Sequence, residues 1–413
     1  TYIYENRQPV SGLSFTVGNY SRYSLGWGPN YEYGFNLFLR PDHIGSAPEY
    51  ASELYSIIQF YISLLGEPGH HHLAVVEVPS RFSAWGQSTP GMMWLSSRNF
   101  DGPLPYRILS HELAHQWWGI DVEGAGAGEN FLQEGFAGYS EAMYEMAFYG
   151  SRGYLDFCRE QYISRFVQGP GPEPVLVSND YDLASFKGPW VLHMLRFLVG
   201  DEAFNQTLMA FHRDHFGVRA DHFAFQEKVL ETTGQNLSGF FHMWLYSSGR
   251  LDYAFADALV LQGPPGKDRV RLVVESRGVL GDLPMDVGIY FEGGQRGFVA
   301  AGWNGSGPNV TLSYEVDYPV DAVKLDPFNW LLDAYPSNSE APTRTGFFDL
   351  SAGNITATPA EPTEGRDIGV FVEVALNTSE GPTNVEMDLL VDGISSAGTT
   401  VWLDTGSRAW ANF

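Results

Sequence analysis

The sequence changes character near Leu251, and this change constrains the fold more than any other feature. Before that point, apolar residues recur at the three- and four-residue spacing of amphipathic helices. The predicted helices occupy residues 47–65, 104–118 and 129–149, with others following up to about residue 248. Strand-like patterns in residues 31–39 and 73–78 add a small sheet. After that point, short β-branched segments separated by Gly, Pro and Asn predict all-β units.

Composition limits the classes of partner that the chain can have. The length of 413 residues and the hydrophobic content of 44% are enough for several buried cores. A formal net charge of -25 opposes binding to nucleic acid and to anionic membrane surfaces. The single cysteine, Cys158, excludes an internal disulfide framework, and no apolar run is long enough to span a bilayer. The start at Thr1 and several Asn-x-Ser/Thr sequences are expected of a processed extracellular protein or a fragment.

The segment RILSHELAHQWWG carries the first candidate for chemistry. His111 and His115 stand four residues apart on a predicted helix and therefore project from one face, as zinc ligands do. Glu112, about 100° around the same helix, is the predicted general base of a metallopeptidase. A catalytic zinc site needs a third protein ligand, and the segment FLQEGFAGYSE supplies Glu134. The pattern of His111, Glu112 and His115 alone can arise by chance on a helix surface. The third ligand, Glu134, therefore strengthens the prediction.

These motifs resemble the gluzincin metallopeptidases, in particular the aminopeptidase N family, in which HExxH is followed after eighteen residues by the ligand glutamate. His115 and Glu134 have that spacing, and Glu141 matches a supporting glutamate seven residues beyond the ligand. The segment FKGPWVLHMLRFLVGDEAF is similar to the Lys-Gly helix of the family, and the resemblance covers roughly residues 14–253. It implies one Zn²⁺ per chain, held by His111, His115 and Glu134, and a peptide or protein substrate.

The resemblance also implies an α+β multidomain architecture. A thermolysin-like catalytic domain, with a small β-sheet and a mostly helical lobe, is expected in residues 24–252, after a remnant of an N-terminal β-domain in residues 1–23. A β-sandwich in 253–336 and an immunoglobulin-like β domain in 337–413 are expected to follow. The last domain resembles the CARDB-type modules of prokaryotic surface proteins, which implies an extracellular or cell-surface location and possible surface attachment.

Two positions depart from the family pattern. Ser185 stands where the family has a tyrosine that donates a hydrogen bond to the tetrahedral intermediate. Tyr181, one helical turn earlier, is the predicted catalytic substitute, with an ordinary packed aromatic as the alternative. The segment STPGMMWLSS is matched to the family's edge strand, so that Trp94 replaces the glutamate that binds the substrate amine. Three residues of that segment are still expected to bind peptide by β-augmentation: Gly91, Met92 and Met93.

Zinc-dependent, aminopeptidase-like hydrolysis of peptide bonds is the function that these features predict. Because the amine-binding glutamate is replaced, the choice between exopeptidase and endopeptidase stays open. The alternative is a catalytically weak or inactive homologue that serves as a cell-surface binding or adhesion protein. The run His70–His72 is expected in a turn rather than in a second metal site, and His193 is expected in a helix core.

Overall fold

A computed structural model describes most of the first 250 residues and separate segments after them. The described ranges are 14–28, 33–83, 85–150, 152–164, 174–176, 181–249, 251–261, 268–277, 285–291, 296–301, 309–316, 320–335, 340–342, 350–358, 369–376, 383–391, 394–403 and 408–412. The chain divides into two compact units, Thr1–Ser248 and Gly249–Phe413. The finer division into four domains stays a prediction.

The first unit contains a five-stranded mixed sheet with the order β1-β2-β3-β5-β4. Its strands are β1 (Ser21–Trp27), β2 (Tyr33–Leu39), β3 (His72–Val78), β4 (Gly86–Thr89) and β5 (Met92–Ser96). The three inner strands run parallel, whereas β1 and β4 pair antiparallel at the two edges. Leu37, Val75 and Met93 are fully buried, so one face of the inner strands belongs to the core. A short parallel pair joins β6 (Val122–Gly124) to β7 (Val218–Ala220).

Eight α-helices accompany these strands in the described part of the first unit. They are α1 (Ala47–Leu65), α2 (Tyr106–Ala114), α3 (Phe136–Tyr149), α4 (Gly153–Tyr162), α5 (Tyr181–Val199), α6 (Asp201–Asp214), α7 (His222–Thr233) and α8 (Ser238–Phe241). The α1 helix buries the apolar residues whose spacing predicted it. Its residues Tyr50, Leu54, Ile57 and Tyr61 recur at helical spacing and are buried. The α+β class predicted from the sequence therefore holds for this unit.

A five-residue π-helical turn, Phe131–Gly135, leads directly into α3. It crosses α5 at very short range: a Cβ atom built on Gly188 would lie 2.9 Å from the Cα atom of Gly135. Any larger residue at position 188 would therefore push the two elements apart. This close crossing fixes the turn that carries Glu134 against α5.

The described segments of the second unit are mostly β-strands, and the paired strands run antiparallel. The strands are β8 (Tyr253–Leu261), β9 (Asp268–Ser276), β10 (Met285–Phe291), β11 (Arg296–Ala301), β12 (Asn309–Val316), β13 (Val320–Leu325), β14 (Glu340–Pro342), β15 (Leu350–Thr358), β16 (Gly369–Leu376), β17 (Thr383–Val391), β18 (Ile394–Leu403) and β19 (Arg408–Asn412). They form sheets of the orders β11-β10-β13-β14, β12-β9-β8, β15-β16-β19 and β17-β18. All-β structure after residue 252 was predicted, and the immunoglobulin-like assignment stays a prediction. Among the described helices of the whole chain, none is long and apolar enough to cross a membrane.

Candidate metal centre

The α2 helix presents two histidines on one face. His111 lies in its last turn and His115 caps its C-terminal end, so that the two ring centroids are 4.9 Å apart. Leu109 and Leu113 are fully buried and hold the helix against the core. The hydroxyl of Tyr61 on α1 donates a hydrogen bond to the Ser110 carbonyl oxygen at 3.1 Å, which fixes the helix along its axis.

The π-helical turn brings Glu134 to these histidines. Nε2 of His111 lies 3.4 Å from Oε2 of Glu134, and Nε2 of His115 lies 3.7 Å from Oε1 of Glu134. Three ligand atoms of this group, one from each residue, lie within 4.8 Å of one another, and it is the one such group of His, Cys, Asp or Glu among the described residues. Ligands at about 2.0–2.1 Å from a tetrahedral zinc ion are separated by about 3.3 Å. The donor types and their separations therefore fit one zinc ion.

The second ring nitrogen of each histidine is also engaged. Nδ1 of His111 lies 3.3 Å from Oε2 of Glu141 on α3, and Nδ1 of His115 lies 3.1 Å from the carbonyl oxygen of Trp118. Such partners orient a ligating imidazole and leave Nε2 to face the metal. Burial alone lowers the pKa of His111, but its contacts with Glu134 and Glu141 outweigh that effect and raise the pKa well above its usual value.

Glu112 is buried beside the two histidines. Burial raises the pKa of its carboxyl group, an effect that His115, His111 and a hydrogen bond from Ser88 only partly oppose. The Ser88 Oγ atom lies 2.8 Å from Oε2 of Glu112 and 2.6 Å from its carbonyl oxygen. The structure thus brings the three predicted metal ligands His111, His115 and Glu134 together, with Glu112 near enough to both histidines for their charges to oppose the rise in its pKa. It also adds Ser88, which the sequence interpretation missed.

The strand predicted to bind substrate has a different position from the one expected. Gly91 precedes β5, and Met92 and Met93 lie in β5, which is hydrogen-bonded to β3 on one side and to β4 on the other. An inner strand has no unpaired edge to offer a peptide, so the edge-strand placement of Met92, Met93 and Trp94 is wrong. Substrate binding by Gly91, Met92 and Met93 stays a prediction. The edge belongs to β4, which lies against α2. The turn Thr89-Pro90-Gly91 was the sequence signal for this hairpin.

The remaining predicted residues lie in or near α5. Tyr181 begins this helix, and its side chain lies outside the described part of the structure, so its catalytic role stays a prediction. Ser185 is half-buried in the same helix. His193 is a core residue, as expected, with Nδ1 lying 3.2 Å from the hydroxyl oxygen of Tyr139. Of the run at 70–72, no residue belongs to the described metal-ligand group.

Comparisons with known proteins point to aminopeptidases. Over 116 residues the chain is 31% identical to endoplasmic reticulum aminopeptidase 2 of Homo sapiens, a match that covers 25% of this chain and 12% of that protein. Over 155 residues it is 30% identical to aminopeptidase N of Streptomyces lividans, covering 34% of this chain and 18% of that protein. The chain thus matches less than a fifth of the length of either relative. No family model matches the chain.

A solved structure gives a more extensive likeness. The crystal structure of Legionella pneumophila aminopeptidase A in complex with aspartic acid is similar with a TM-score of 0.59 and 14% sequence identity. The similarity covers 81% of this chain and 39% of that chain. At this identity the match shows the fold alone. Together, the sequence relatives and the fold support a relationship to the aminopeptidases.

Proposed function

We propose that the protein is a zinc-dependent peptidase of aminopeptidase type, with His111, His115 and Glu134 as the metal ligands and Glu112 as the general base. The observation that carries this proposal is the convergence of two imidazoles and one carboxylate at separations suited to one zinc ion, with a buried carboxylate next to them. The relatives named as aminopeptidases support the same reaction class.

In this proposal a bound zinc ion would polarise the scissile carbonyl group and make a water molecule more acidic. Glu112 would take a proton from the attacking water and return it to the leaving amine. Its raised pKa suits this double role, because a base of intermediate strength can both accept and release the proton. Glu141 and the carbonyl oxygen of Trp118 would hold the two imidazoles in position.

The test measures zinc binding and peptide hydrolysis separately. Wild type should bind one zinc ion per chain and cleave peptides. His111→Ala should lose the metal, while His72→Ala, an exposed histidine outside the site, should retain it. Glu112→Gln should keep the zinc and lose hydrolysis, whereas Glu227→Gln, an exposed glutamate on α7, should change neither. Equal hydrolysis by wild type and Glu112→Gln would refute the proposal.

Peptides with free and with blocked amino termini decide between exopeptidase and endopeptidase action. An aminopeptidase requires the free amine and leaves the blocked peptide intact. Glu112→Gln should be inactive on both substrates. Cleavage of the blocked peptide at a comparable rate would reassign the protein as an endopeptidase while leaving the metal assignment in place.

A further inference from the structure

The Glu112 side chain contacts the edge strand β4 at Gly86 and Ser88, which lie on the same face of that strand. Ser88 is paired with Met93, which is fully buried, so Ser88 points toward the helix side of the sheet. Gly86, two residues earlier, is directed to the same side, because side chains alternate along a strand. These two residues form the surface on which the Glu112 carboxylate rests.

Gly86 leaves the space that the carboxylate fills. A Cβ atom built at this position would lie 2.5 Å from Oε1, 2.7 Å from Cγ and 2.8 Å from Cδ of Glu112. Real Cβ atoms do not come that close, so any side chain at position 86 would force Glu112 into another rotamer. The backbone of β4 therefore forms one wall of the slot that contains Glu112.

Ser88 holds the carboxylate in that slot by hydrogen bonding. Its hydroxyl lies within hydrogen-bond distance of both the carbonyl oxygen and Oε2 of Glu112. A hydroxyl has one proton, so Ser88 donates to one of these two oxygen atoms at a time.

We infer that Ser88 is a positioning residue for catalysis, which keeps Glu112 in one rotamer beside the metal ligands, and that Gly86 is required to leave room for it. This inference rests on the proposed peptidase function. A purely structural alternative assigns the Ser88 hydroxyl to the Glu112 carbonyl oxygen alone, where it would only join β4 to α2. The two readings differ in what happens to turnover at unchanged metal content.

The decisive comparison is Ser88→Thr with Ser88→Val, in the full chain loaded with zinc. These side chains have nearly the same shape and both favour strands, so they differ chiefly in the hydroxyl. We expect Ser88→Thr to keep most of the wild-type kcat and Ser88→Val to lose roughly tenfold to a hundredfold, the range for a hydrogen bond to a charged group. Zinc content and KM should agree between the two variants, and Ser88→Val should stay folded at the assay temperature, with a lower unfolding midpoint because it lacks the hydroxyl.

Ser56→Ala, which removes an exposed hydroxyl from α1, is the matched control and should behave as wild type. Equal kcat for Ser88→Val and Ser88→Thr would overturn the inference, as would a loss of kcat in Ser88→Val that follows lost zinc or unfolding at the assay temperature. Glu112→Gln is measured in parallel. If Glu112→Gln abolishes turnover and Ser88→Val does not, only the inference fails; if Glu112→Gln is fully active, the proposed function fails with it.

Discussion

Lys187 on α5 is a buried cation, and replacing it with methionine should stabilise the protein. The residue has no exposed surface, and its Nζ atom has no hydrogen-bond partner in the described structure. The Nζ atom lies 5.9 Å from the ring centroid of Trp244, which compensates the charge in part. Burial lowers the pKa of Lys187 from 10.5 to about 8. Lys187→Met keeps much of the length of the side chain and removes the charge.

The pKa gives the size of the effect and its dependence on pH. At about 1.4 kcal/mol per pH unit, the interval from 10.5 to about 8 corresponds to roughly 3 kcal/mol of destabilisation. The folded pKa lies below the unfolded one, so the full cost applies below pH 8, where Lys187 is charged in both states. Between about pH 8 and 10.5 the unfolded chain binds more protons, and stability rises with pH until the cost is gone.

Urea unfolding of wild type and Lys187→Met at pH 7 and at pH 9.5 measures this cost. The variant should be more stable by up to roughly 3 kcal/mol at pH 7, and the difference should shrink by more than half at pH 9.5. Lys228→Met is the matched control, because the Lys228 ammonium lies 2.7 Å from Asp214 and its pKa is raised. That variant should gain no stability. A loss of stability in Lys187→Met that is equal at both pH values would refute the reasoning.

Three further outcomes follow from packing and hydrogen bonding. Gly188→Ala should separate α5 from Gly135, lowering stability by about 1–3 kcal/mol in thermal unfolding and weakening zinc binding in a chelator competition; an unchanged zinc affinity would contradict the second part. Glu141→Ala should weaken zinc binding about 10- to 100-fold, because Nδ1 of His111 loses its partner, and affinity equal to wild type would count against this. Burial raises the pKa of the Cys158 thiol, so iodoacetamide should modify it only after unfolding in urea; labelling of the folded protein would contradict this.

The helical spacing of apolar residues predicted the helices that bury one side and expose the other. Residues 47–65 were predicted as a helix and form α1 with the same bounds. The segment 104–118 was predicted too long, because the helix ends at Ala114 and the chain then turns, with Gly119 at a φ of 103°. The segment 129–149 contains a π-helical turn that its apolar pattern does not distinguish from α-helix. Backbone geometry at such points depends on tertiary contacts that periodicity does not report.

The sequence likewise predicted some residues of the candidate site and missed others. The spacing of His111, His115 and Glu134 predicted three side chains that the structure does bring together. The sequence did not predict Ser88 and Gly86, because both residues lie more than twenty positions from Glu112 in the chain. Only the packing of β4 against α2 brings them into contact with Glu112. The polar segment GQST also lacks the apolar alternation of a buried strand, so β5 was taken for the edge in its place.

The shortness of β4 has a consequence for association between molecules. The strand has only four residues and is followed by Pro90, which has no backbone N–H to donate. A second copy of the protein that paired with this edge would gain hydrogen bonds over about 13 Å at most. So short an edge is a poor template for an intermolecular sheet. The edge of the sheet next to the candidate metal site therefore does not promote edge-to-edge aggregation.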